Sequence, residues 1–299
     1  MNDSIMDCLS SRKLKKYINC NLAEYSSIRL GAVADAVVFP DSAADFLDVI
    51  KRLREKDVRF CVVGGLSNTL FATDYYQGVV VITTALNALS VIDTGVRAEC
   101  GVSMARLLSY AAESGYGGAE QLSLIPGTVG GAIRGNAGAH GISVSDILDS
   151  ASLFFSDDVT VRTLTVADIG FTYRGSILKR RPGVYVLSAD FKLAPISKEE
   201  YAKRRLEFSK LRSLSQPREP SLGSVFKQVN GVSAGYYIER AGLKGYRHGG
   251  AEISAKHAGF IVTHDGATWR DVMRLIEIAE ERVHSVFGIY LEREVEIIR

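Results

Sequence analysis

The most glycine-rich part of the chain reads Ile125-Pro126-Gly127-Thr128-Val129-Gly130-Gly131-Ala132, followed closely by Gly135-Asn136-Ala137-Gly138-Ala139-His140-Gly141. Ten of the 28 glycines lie between Gly101 and Gly141. A helix loses about 1 kcal/mol for each glycine, so ordinary helical structure explains this run poorly. Because such small residues leave backbone N–H groups exposed, we interpret the run as a surface for a flat ligand or its phosphates, in preference to a plain loop.

A second glycine turn follows the strand-like segment Arg59–Val63 and reads Gly64-Gly65-Leu66-Ser67-Asn68. Successive N–H groups in such a turn form a concavity that suits phosphate oxygens, and Ser67 and Asn68 add donors. A purely structural turn explains the same pattern. The chain contains neither G-x-G-x-x-G nor a P-loop, which disfavours a Rossmann nucleotide site.

The composition is that of an ordinary globular protein of 299 residues, long enough for two cores. Lys and Arg total 36 against 34 for Asp and Glu, a balance that argues against a nucleic-acid binder. No apolar run reaches the length of a membrane span, and the start Met1-Asn2-Asp3-Ser4 lacks a signal-peptide pattern. The scattered cysteines fit the cytosol, and no histidine pair has metal-ligand spacing, so we expect no catalytic metal.

The pattern of elements predicts an α+β or α/β protein. Strands are predicted at Ala36–Phe39, Arg59–Val63 and Val79–Ile82, and further strands follow the glycine-rich run. Serine or threonine caps predict helices after Ser42, Ser103, Ser197 and Thr268. Apolar stripes at helical spacing follow two of these caps: Phe46, Val49, Ile50 and Leu53 after Ser42, and Trp269, Val272, Met273, Ile276, Ala279 and Val283 after Thr268. The basic start with Arg12, Lys13, Lys15 and Lys16 predicts a mobile tail or an initial helix. Pro217 and Pro220 mark a candidate domain boundary, and Ile289–Ile298 is predicted as a final strand.

Three side chains outside the glycine turns are candidates for chemistry. Arg174, next to Tyr173, suits a carboxylate clamp, although a surface arginine is the commoner reading. Ser224, behind Gly223, is a positioned hydroxyl or simply a turn residue, and no G-x-S-x-G elbow surrounds it. Glu294 alternates with apolar residues in the final strand, a pattern typical of a solvated acidic face.

Taken together and in this order, these segments resemble the UDP-N-acetylenolpyruvoylglucosamine reductase (MurB) family, from about Tyr25 to Ile298. The resemblance rests on eight motifs: Gly64-Gly65 with Ser67-Asn68, Ile125–Gly131, Asn136–Ala139, Tyr173-Arg174-x-Ser176, Gln216-Pro217-Arg218, Gly223–Lys227, Ile253-Ser254-x-Lys256-His257-Ala258, and Leu291-x-x-Glu294-Val295.

The resemblance implies an α+β fold, with an FAD-binding domain of the PCMH/vanillyl-alcohol-oxidase type followed by a smaller α+β substrate-binding domain. We expect a tail at 1–20, the FAD-binding domain at 21–200 and the substrate-binding domain at 201–299. The last strand, about 288–298, would return to the active site. No large insertion separates Tyr173 from Pro217, which indicates the shorter subclass without the extra substrate-covering loop.

The cofactor implied is FAD, bound non-covalently because no His or Cys lies in the first glycine turn. The residues that would hold it are Gly64, Gly65, Leu66, Ser67, Asn68, Pro126, Gly127, Thr128, Gly130, Gly131, Asn136, Ala137 and Gly138. Two departures from the family pattern are Leu66, where a third glycine is usual, and Gln228-Val229, where Asn-Pro is usual.

The reaction implied is the NADPH-dependent reduction of UDP-N-acetylglucosamine enolpyruvate in peptidoglycan precursor synthesis. Ser224 would protonate the substrate carbon, while Arg174 and Glu294 would stabilise the carboxylate-derived oxygens. The predicted substrate-binding residues are Tyr173, Arg212, Arg218 and Lys227, and Lys227 could also assist Ser224. We expect a monomer or weak oligomer in the cytoplasm, with no nucleic-acid or membrane partner.

Two alternatives stay open at this point. One is an FAD oxidase of the same fold that acts on a small alcohol or sugar. The other is a flavin-binding protein without catalytic activity. The presence of Arg174, Ser224 and Glu294 favours the reductase over both.

Overall fold

The computed structural model describes residues 3–10 and 14–299, which fold into two compact units. The first unit contains Asp35–Gly65 and Gln77–Lys210, together with the residues before Cys20. The second contains Cys20–Ala34, Leu66–Tyr76 and Leu211–Arg299. Each unit has its own hydrophobic core, so each is described separately.

The predicted helix caps are confirmed, because each one satisfies a backbone N–H of the first turn. The hydroxyl of Ser42 accepts from the N–H of Asp45 at 3.1 Å, and that of Ser103 accepts from Arg106 at 3.2 Å. Thr268 accepts from Asp271 at 3.3 Å, and the Asp271 carboxylate accepts from the Thr268 N–H in return. The helices are α1 Asp3–Cys8, α2 Ala43–Glu55, α3 Met104–Glu113, α4 Val129–Gly135, α5 Val144–Ile147, α6 Val166–Ile169, α7 Ile177–Arg180, α8 Lys198–Ser215, α9 Ala234–Arg240 and α10 Trp269–Phe287.

The strands are mostly short and are joined by turns. They are β1 Lys15–Asn21, β2 Val33–Phe39, β3 Phe60–Val63, β4 Thr69–Phe71, β5 Tyr75–Ile82, β6 Leu89–Ile92, β7 Gly95–Glu99, β8 Tyr116–Gly117, β9 Gly138–Ala139, β10 Ile142–Ser143, β11 Leu148–Phe155, β12 Thr160–Thr165, β13 Val184–Lys192, β14 Ala194–Pro195, β15 Ser221–Ser224, β16 Arg247–His248, β17 Ala251–Ile253, β18 Phe260–Thr263 and β19 Glu296–Ile298.

The first unit contains two larger sheets. One has the strand order β1-β2-β5-β3, and its strands β3 and β5 run parallel, with Val63 opposite Ile82. The other is antiparallel, with the order β12-β11-β13-β7-β6. The apolar stripe predicted for α2 is confirmed, because Phe46, Val49, Ile50 and Leu53 are its buried residues. Phe46 meets Phe154 of β11 edge-on, so this helix packs on the antiparallel sheet.

The second unit combines the antiparallel sheet β15-β18-β17-β16 with a parallel pair, β19 and β4. Of the stripe predicted for helix α10, Val272, Met273, Ile276, Ala279 and Val283 are buried, whereas Trp269 is only half-buried. The helix ends at Gly288 in the left-handed conformation. These residues share a core with residues from the sheet, which gives the second unit a rigid base.

The predicted division into 1–20, 21–200 and 201–299 differs from the two units. Residues 20–34 and 66–76 belong to the second unit, because Ile28, Leu70 and Ala72 pack in its core. Near the start of the chain, Asp3–Cys8 is helical and Lys15–Asn21 is a strand, in place of a tail. Ile5 and Cys8 are buried in the first core. Arg12 and Lys13 lie outside the described residues.

The final strand is shorter than predicted, since only Glu296–Ile298 forms one. Residues 289–295 lie outside any strand and are held by separate hydrogen bonds. Among the helices in the described part of the chain, none has both the length and the apolar composition needed to cross a bilayer.

Candidate active site

The two glycine segments predicted to hold the cofactor touch each other in the first unit. Strand β3 ends at Val63, and Gly64 follows it directly. A Cβ atom on Gly64 would lie 2.3 Å from the Thr128 hydroxyl oxygen, so no other residue fits without a shift. A Cβ on Gly65 would lie 4.0 Å from the Cα of Gly127. The close approach of these backbones explains why glycine is used at position 64.

Cys100 packs against the second glycine segment and binds its backbone. The N–H of Gly130 donates to the Cys100 carbonyl at 2.8 Å, and a Cβ on Gly130 would lie 3.1 Å from the Cys100 Cβ. Burial raises the pKa of the Cys100 thiol to about 12, so the thiol is inert packing. Pro126 and Gly131 remain exposed above this contact. The prediction that this run is not helical is wrong in part, because Val129–Gly135 forms helix α4 with Thr128 as its N-cap. The exposed small residues therefore lie at the beginning of a short helix that is fixed to Cys100.

Asn136 ends helix α4 in the left-handed conformation, with φ of 42°. Its amide nitrogen donates to the Thr172 carbonyl at 3.1 Å, and its amide oxygen accepts from the Ser145 N–H at 3.1 Å. Both ends of this buried side chain are thus used inside the protein. The side chain of Asn136, predicted to bind cofactor, ties the turn that follows Thr172 to the glycine-rich segment.

Arg174 lies in that turn, which is closed by reciprocal backbone hydrogen bonds between Thr172 and Gly175. Its φ of 55° lies in the left-handed region, which is uncommon for arginine and requires a surrounding structure that enforces it. The guanidinium donates to the carbonyls of Asn136 at 3.4 Å and Gly138 at 3.3 Å. It also lies 5.4 Å from the centre of the Tyr173 ring. Arg174 is therefore a half-buried cation, and these contacts fix the orientation of its guanidinium group.

Ser176 locks the other side of the turn. Its side chain is fully buried, donates to the Arg134 carbonyl at 2.8 Å and accepts from the Leu178 N–H. Because Arg134 belongs to helix α4, the turn is fixed to the same helix at both ends. The structure thus brings Arg174 together with the predicted cofactor residues Asn136 and Gly138.

The remainder of the first glycine turn belongs to the second unit. Leu66 has φ of 47°, the conformation in which glycine is favoured, and its side chain is buried. Its carbonyl accepts from the N–H of Ser27 at 3.3 Å. A leucine in this conformation costs about 1 kcal/mol relative to glycine, so Leu66 is accommodated at that conformational cost. The amide nitrogen of Asn68 donates to the carbonyl of Glu294 at 3.1 Å.

Ser224 and Glu294 are joined through one residue, Val225. The carbonyl of Val225 accepts from the N–H of Glu294 at 2.8 Å, and the N–H of Val225 donates to the carbonyl of Gly259 at 2.9 Å. Gly223, with φ of 77°, interrupts the pairing of β15 with β18 just before Ser224. The Ser224 side chain is exposed, and that of Glu294 is half-buried.

The segment that carries Glu294 has further supports. Arg293 binds the Glu280 carboxylate through two nitrogens, at 2.5 and 2.7 Å. The backbone N–H of Glu296 donates to the carbonyl of Asn68 at 2.9 Å. These bonds replace the regular strand that the alternation predicted.

The predicted substrate-binding residues of the second unit have different surroundings. Lys227 binds the Glu292 carboxylate at 2.5 Å. Arg212 is half-buried near the end of α8, and burial lowers the pKa of its guanidinium. Arg218 is exposed. Within residues 3–10 and 14–299, no three His, Cys, Asp or Glu side chains are grouped to hold a metal ion.

Comparison with known proteins identifies the family. Residues 34–164 match the family described as an FAD binding domain, and residues 216–298 match the C-terminal domain of UDP-N-acetylenolpyruvoylglucosamine reductase. The reductase of Caldicellulosiruptor bescii is 38% identical over 93% of this chain and 88% of its own length. The chain belongs to the UDP-N-acetylenolpyruvoylglucosamine reductase family.

Two further members of this reductase family agree with that assignment. The enzyme of Caldanaerobacter subterraneus subsp. tengcongensis is 35% identical over 99% of this chain and 97% of its own. The crystal structure of the reductase (MurB) from Thermus caldophilus superposes with a TM-score of 0.80 at 29% identity, covering 96% of this chain and 99% of that one. The predicted family and the predicted α+β fold are therefore confirmed.

The residues present fit the FAD of this reductase family. The cradle between Gly64 and Thr128 would be filled by a Cβ, and the small residues around it leave exposed backbone. Sequence reasoning missed the structural use of Asn136 and of the Arg293–Glu280 pair. Asn136 carried a signal, since asparagine tolerates the left-handed conformation that ends a helix. The ion pair joins residues thirteen apart and carried none.

Proposed function

We propose that this chain reduces UDP-N-acetylglucosamine enolpyruvate to UDP-N-acetylmuramate, with NADPH as electron donor and FAD as non-covalent cofactor. The observation that carries the proposal is the match to reductases of this name over more than nine-tenths of the chain. The reaction serves peptidoglycan synthesis, and through it cell-wall growth, cell shape and division. We also propose that the enzyme acts in the cytoplasm, as a monomer or weak oligomer.

The first unit binds the cofactor in this proposal. FAD held by this unit would supply the hydride chemistry, from NADPH to the terminal alkene carbon of the enolpyruvyl group. The backbone N–H groups of the first glycine turn would hold the diphosphate. The second segment would lie against it with small residues, since Gly64 contacts Thr128 and the N–H of Gly130 is already donated to the Cys100 carbonyl. Asn136 contributes by holding the Arg174 turn, since its own amide is engaged with Thr172 and Ser145.

Arg174 stabilises the negative charge that develops on the substrate carboxylate. Its guanidinium is already oriented by the carbonyls of Asn136 and Gly138, so little reorganisation is needed when charge appears. A planar guanidinium can also bind a carboxylate through two nitrogens, which a lysine cannot do. Arg174 is therefore assigned as the electrostatic catalyst, with Tyr173 beside it as a substrate contact.

Ser224 donates the proton to the carbon next to the carboxylate, and Glu294 assists at the carboxylate-derived oxygens. The shared hydrogen bonds of Val225 fix the backbone of both residues. A serine hydroxyl has a high intrinsic pKa, so a nearby charge must favour its re-protonation. Lys227, which lies three residues beyond Ser224 and is paired with Glu292, is our candidate for that charge.

Arg212 and Arg218 are our candidates for the substrate diphosphate. The half-buried guanidinium of Arg212 has a pKa lowered by burial, so a bound anion would offset the cost of keeping it charged. Arg218 follows Pro217 in an exposed segment where its side chain can reach solvent-borne phosphate.

The proposal is tested by product analysis with the purified protein, FAD, NADPH and UDP-N-acetylglucosamine enolpyruvate. We expect one NADPH to be consumed for each sugar nucleotide, whose mass rises by two hydrogens. Omission of FAD from cofactor-stripped protein should abolish the reaction. Consumption of NADPH with oxygen as the only acceptor, and no change in the sugar nucleotide, would contradict the proposal and favour an oxidase of this fold.

A further inference from the structure

His257 lies in a compact loop between β17 and β18 that directly adjoins Ser224. Two backbone N–H groups, those of Lys256 and His257, donate to the buried hydroxyl of Ser254. The loop closes with the N–H of Phe260 donating to the His257 carbonyl at 3.0 Å. At its end, Phe260 pairs with Ser224 across the sheet.

The imidazole of His257 is part of that loop's hydrogen bonding. Its Nδ1 accepts from the backbone N–H of Gly259 at 3.0 Å. The carbonyl of Gly259 in turn accepts from the N–H of Val225 at 2.9 Å. Ser224 immediately precedes Val225. A chain of two hydrogen bonds therefore connects the ring of His257 to the backbone of the proposed proton donor.

Packing leaves the ring little freedom to move. A Cβ on Gly259 would lie 2.9 Å from the His257 Cε1, and one on Gly235 would lie 3.1 Å from the same atom. The Phe260 ring meets the imidazole edge-on with centres 5.0 Å apart. Two glycines and an aromatic ring thus enclose the imidazole, which explains why larger residues are absent from positions 235 and 259.

The bond to Gly259 requires a particular form of the ring. Nδ1 can accept an N–H only when it carries no proton, so the neutral ring must hold its proton on Nε2. An imidazolium would present a donor to the donor of Gly259 and break the bond.

The charges around the ring are balanced. Glu239 of α9 and Lys244 of the following loop form an ion pair at 2.9 Å. Burial lowers the pKa of His257 and outweighs a backbone hydrogen bond that raises it, and the smaller effects of Lys244 and Glu239 oppose each other. The neutral ring is therefore the stable form near neutral pH.

We infer that His257 is a positioning residue for Ser224, which acts through Nδ1 of its neutral ring by holding Gly259 and hence Val225. This inference rests on the proposed function, in which Ser224 supplies a proton. A displacement of about 1 Å at a reacting group can cost about 10²-fold in rate, so loss of the Nδ1 bond should slow the proton-dependent step. Hydride transfer from NADPH to the flavin does not use Ser224 and should be unaffected.

Three substitutions separate the possible roles of the ring. In His257→Asn the amide oxygen takes the place of Nδ1, and in His257→Gln it takes the place of Nε2. His257→Phe keeps the ring but accepts no hydrogen bond. The experiment measures, under anaerobic conditions, flavin reduction by NADPH and then flavin reoxidation by UDP-N-acetylglucosamine enolpyruvate.

We expect His257→Asn to keep the reoxidation rate within about threefold of the unsubstituted protein, whereas His257→Gln and His257→Phe lose about 10- to 10²-fold. All should keep normal FAD content and normal reduction by NADPH. If His257→Phe fails to fold, the Asn and Gln variants still decide the question. Retention by Gln with loss by Asn would overturn the inference in favour of a contact through Nε2, and normal rates in every variant would overturn it as well.

The pH dependence of flavin reoxidation distinguishes a positioning role of the neutral ring from a purely structural one, because only the positioning role makes the rate depend on the protonation of His257. Reoxidation should slow as the pH falls through the pKa of His257, which burial holds below its ordinary value of 6.5, and this acid limb should vanish in His257→Asn. An identical acid limb in both proteins would contradict the requirement for the neutral ring. Failure of the enolpyruvyl sugar to reoxidise even the unsubstituted protein would instead contradict the proposed function.

Discussion

The two regions that carry the proposed catalytic side chains are supported in different ways. In the first unit, Arg174 depends on side chains, since Asn136 and Ser176 bind the turn and the guanidinium itself binds two carbonyls. In the second, Ser224 and Glu294 are placed mainly by backbone bonds at Val225. The difference predicts that the first region should respond to substitutions of several side chains that bind the Arg174 turn. In the second region the reacting groups should matter most, and the supporting side chain expected to matter is His257, which acts through the backbone of Gly259 and Val225.

The largest effect is expected for Ser224→Ala. Loss of the hydroxyl should slow flavin reoxidation by the enolpyruvyl sugar by about 10²–10⁴-fold, the usual contribution of a general acid. Because backbone bonds hold the region, flavin reduction by NADPH should stay normal. Stopped-flow absorbance separates the two steps. Ser221→Ala, on the same strand, is the control, and near-normal reoxidation in Ser224→Ala would remove Ser224 from the role of proton donor.

The next effect is expected for Arg174→Lys. The charge is kept, but the single nitrogen of lysine cannot reproduce the planar guanidinium, whose separate nitrogens bind the carbonyls of Asn136 and Gly138 and leave N–H groups for a carboxylate. Reoxidation should fall by about 10²–10³-fold, the cost of removing one preorganised donor. Arg180→Lys, at an exposed arginine that binds the Gly170 carbonyl, should change little in the same assay. Equal rates for both variants would show that the guanidinium of Arg174 has no special role.

A smaller effect is expected for Asn136→Gly, which keeps the left-handed backbone but removes two hydrogen bonds. Reoxidation should fall about tenfold as the Arg174 turn loosens, and the free energy of unfolding should fall by about 1–3 kcal/mol. Asn230→Gly is a matched control, because Asn230 also has a positive φ but is exposed in the second unit. A loss of FAD with unchanged reoxidation after reconstitution would assign Asn136 to the cofactor alone.

The smallest effect concerns Glu252, a buried carboxylate of β17. Burial raises its pKa, but hydrogen bonds from His264 and Arg247 outweigh burial and hold the pKa below its ordinary value of 4.5. The resulting stability is present above pH 4.5 and is lost as the pH falls through the folded-state pKa. Between pH 7 and pH 4 the Tm of Glu252→Gln should therefore fall by a few degrees less than the Tm of the unsubstituted protein. An equal fall of Tm in both proteins would show that the ionised Glu252 carboxylate does not contribute to this stability.

Local chemistry explains which parts of the fold could be predicted from the sequence. The caps at Ser42, Ser103 and Thr268 depend on residues three positions away, and the buried stripes of α2 and α10 follow helical spacing. The glycine turn that begins at Gly64 could be recognised from its own sequence, although the contact with Thr128 that requires glycine there could not. The helix caps and apolar stripes were predicted correctly because the residues that determine them lie close together in the sequence.

The parts that sequence reasoning missed depend on distant partners. Asn68 binds the carbonyl of Glu294 across 226 positions, and β19 pairs with β4 in the same region. Neither pairing leaves a pattern in either segment alone. For the same reason the predicted linear boundary could not include residues 20–34 and 66–76 in the second unit, because their burial is decided by the C-terminal core.

The most direct test of the central claim is the visible spectrum of the protein with FAD under anaerobic conditions. NADPH is added first and UDP-N-acetylglucosamine enolpyruvate second. We predict a flavin band that bleaches with NADPH and returns with the sugar nucleotide. A band that returns only when oxygen is admitted, or a protein that binds no flavin, would contradict the account.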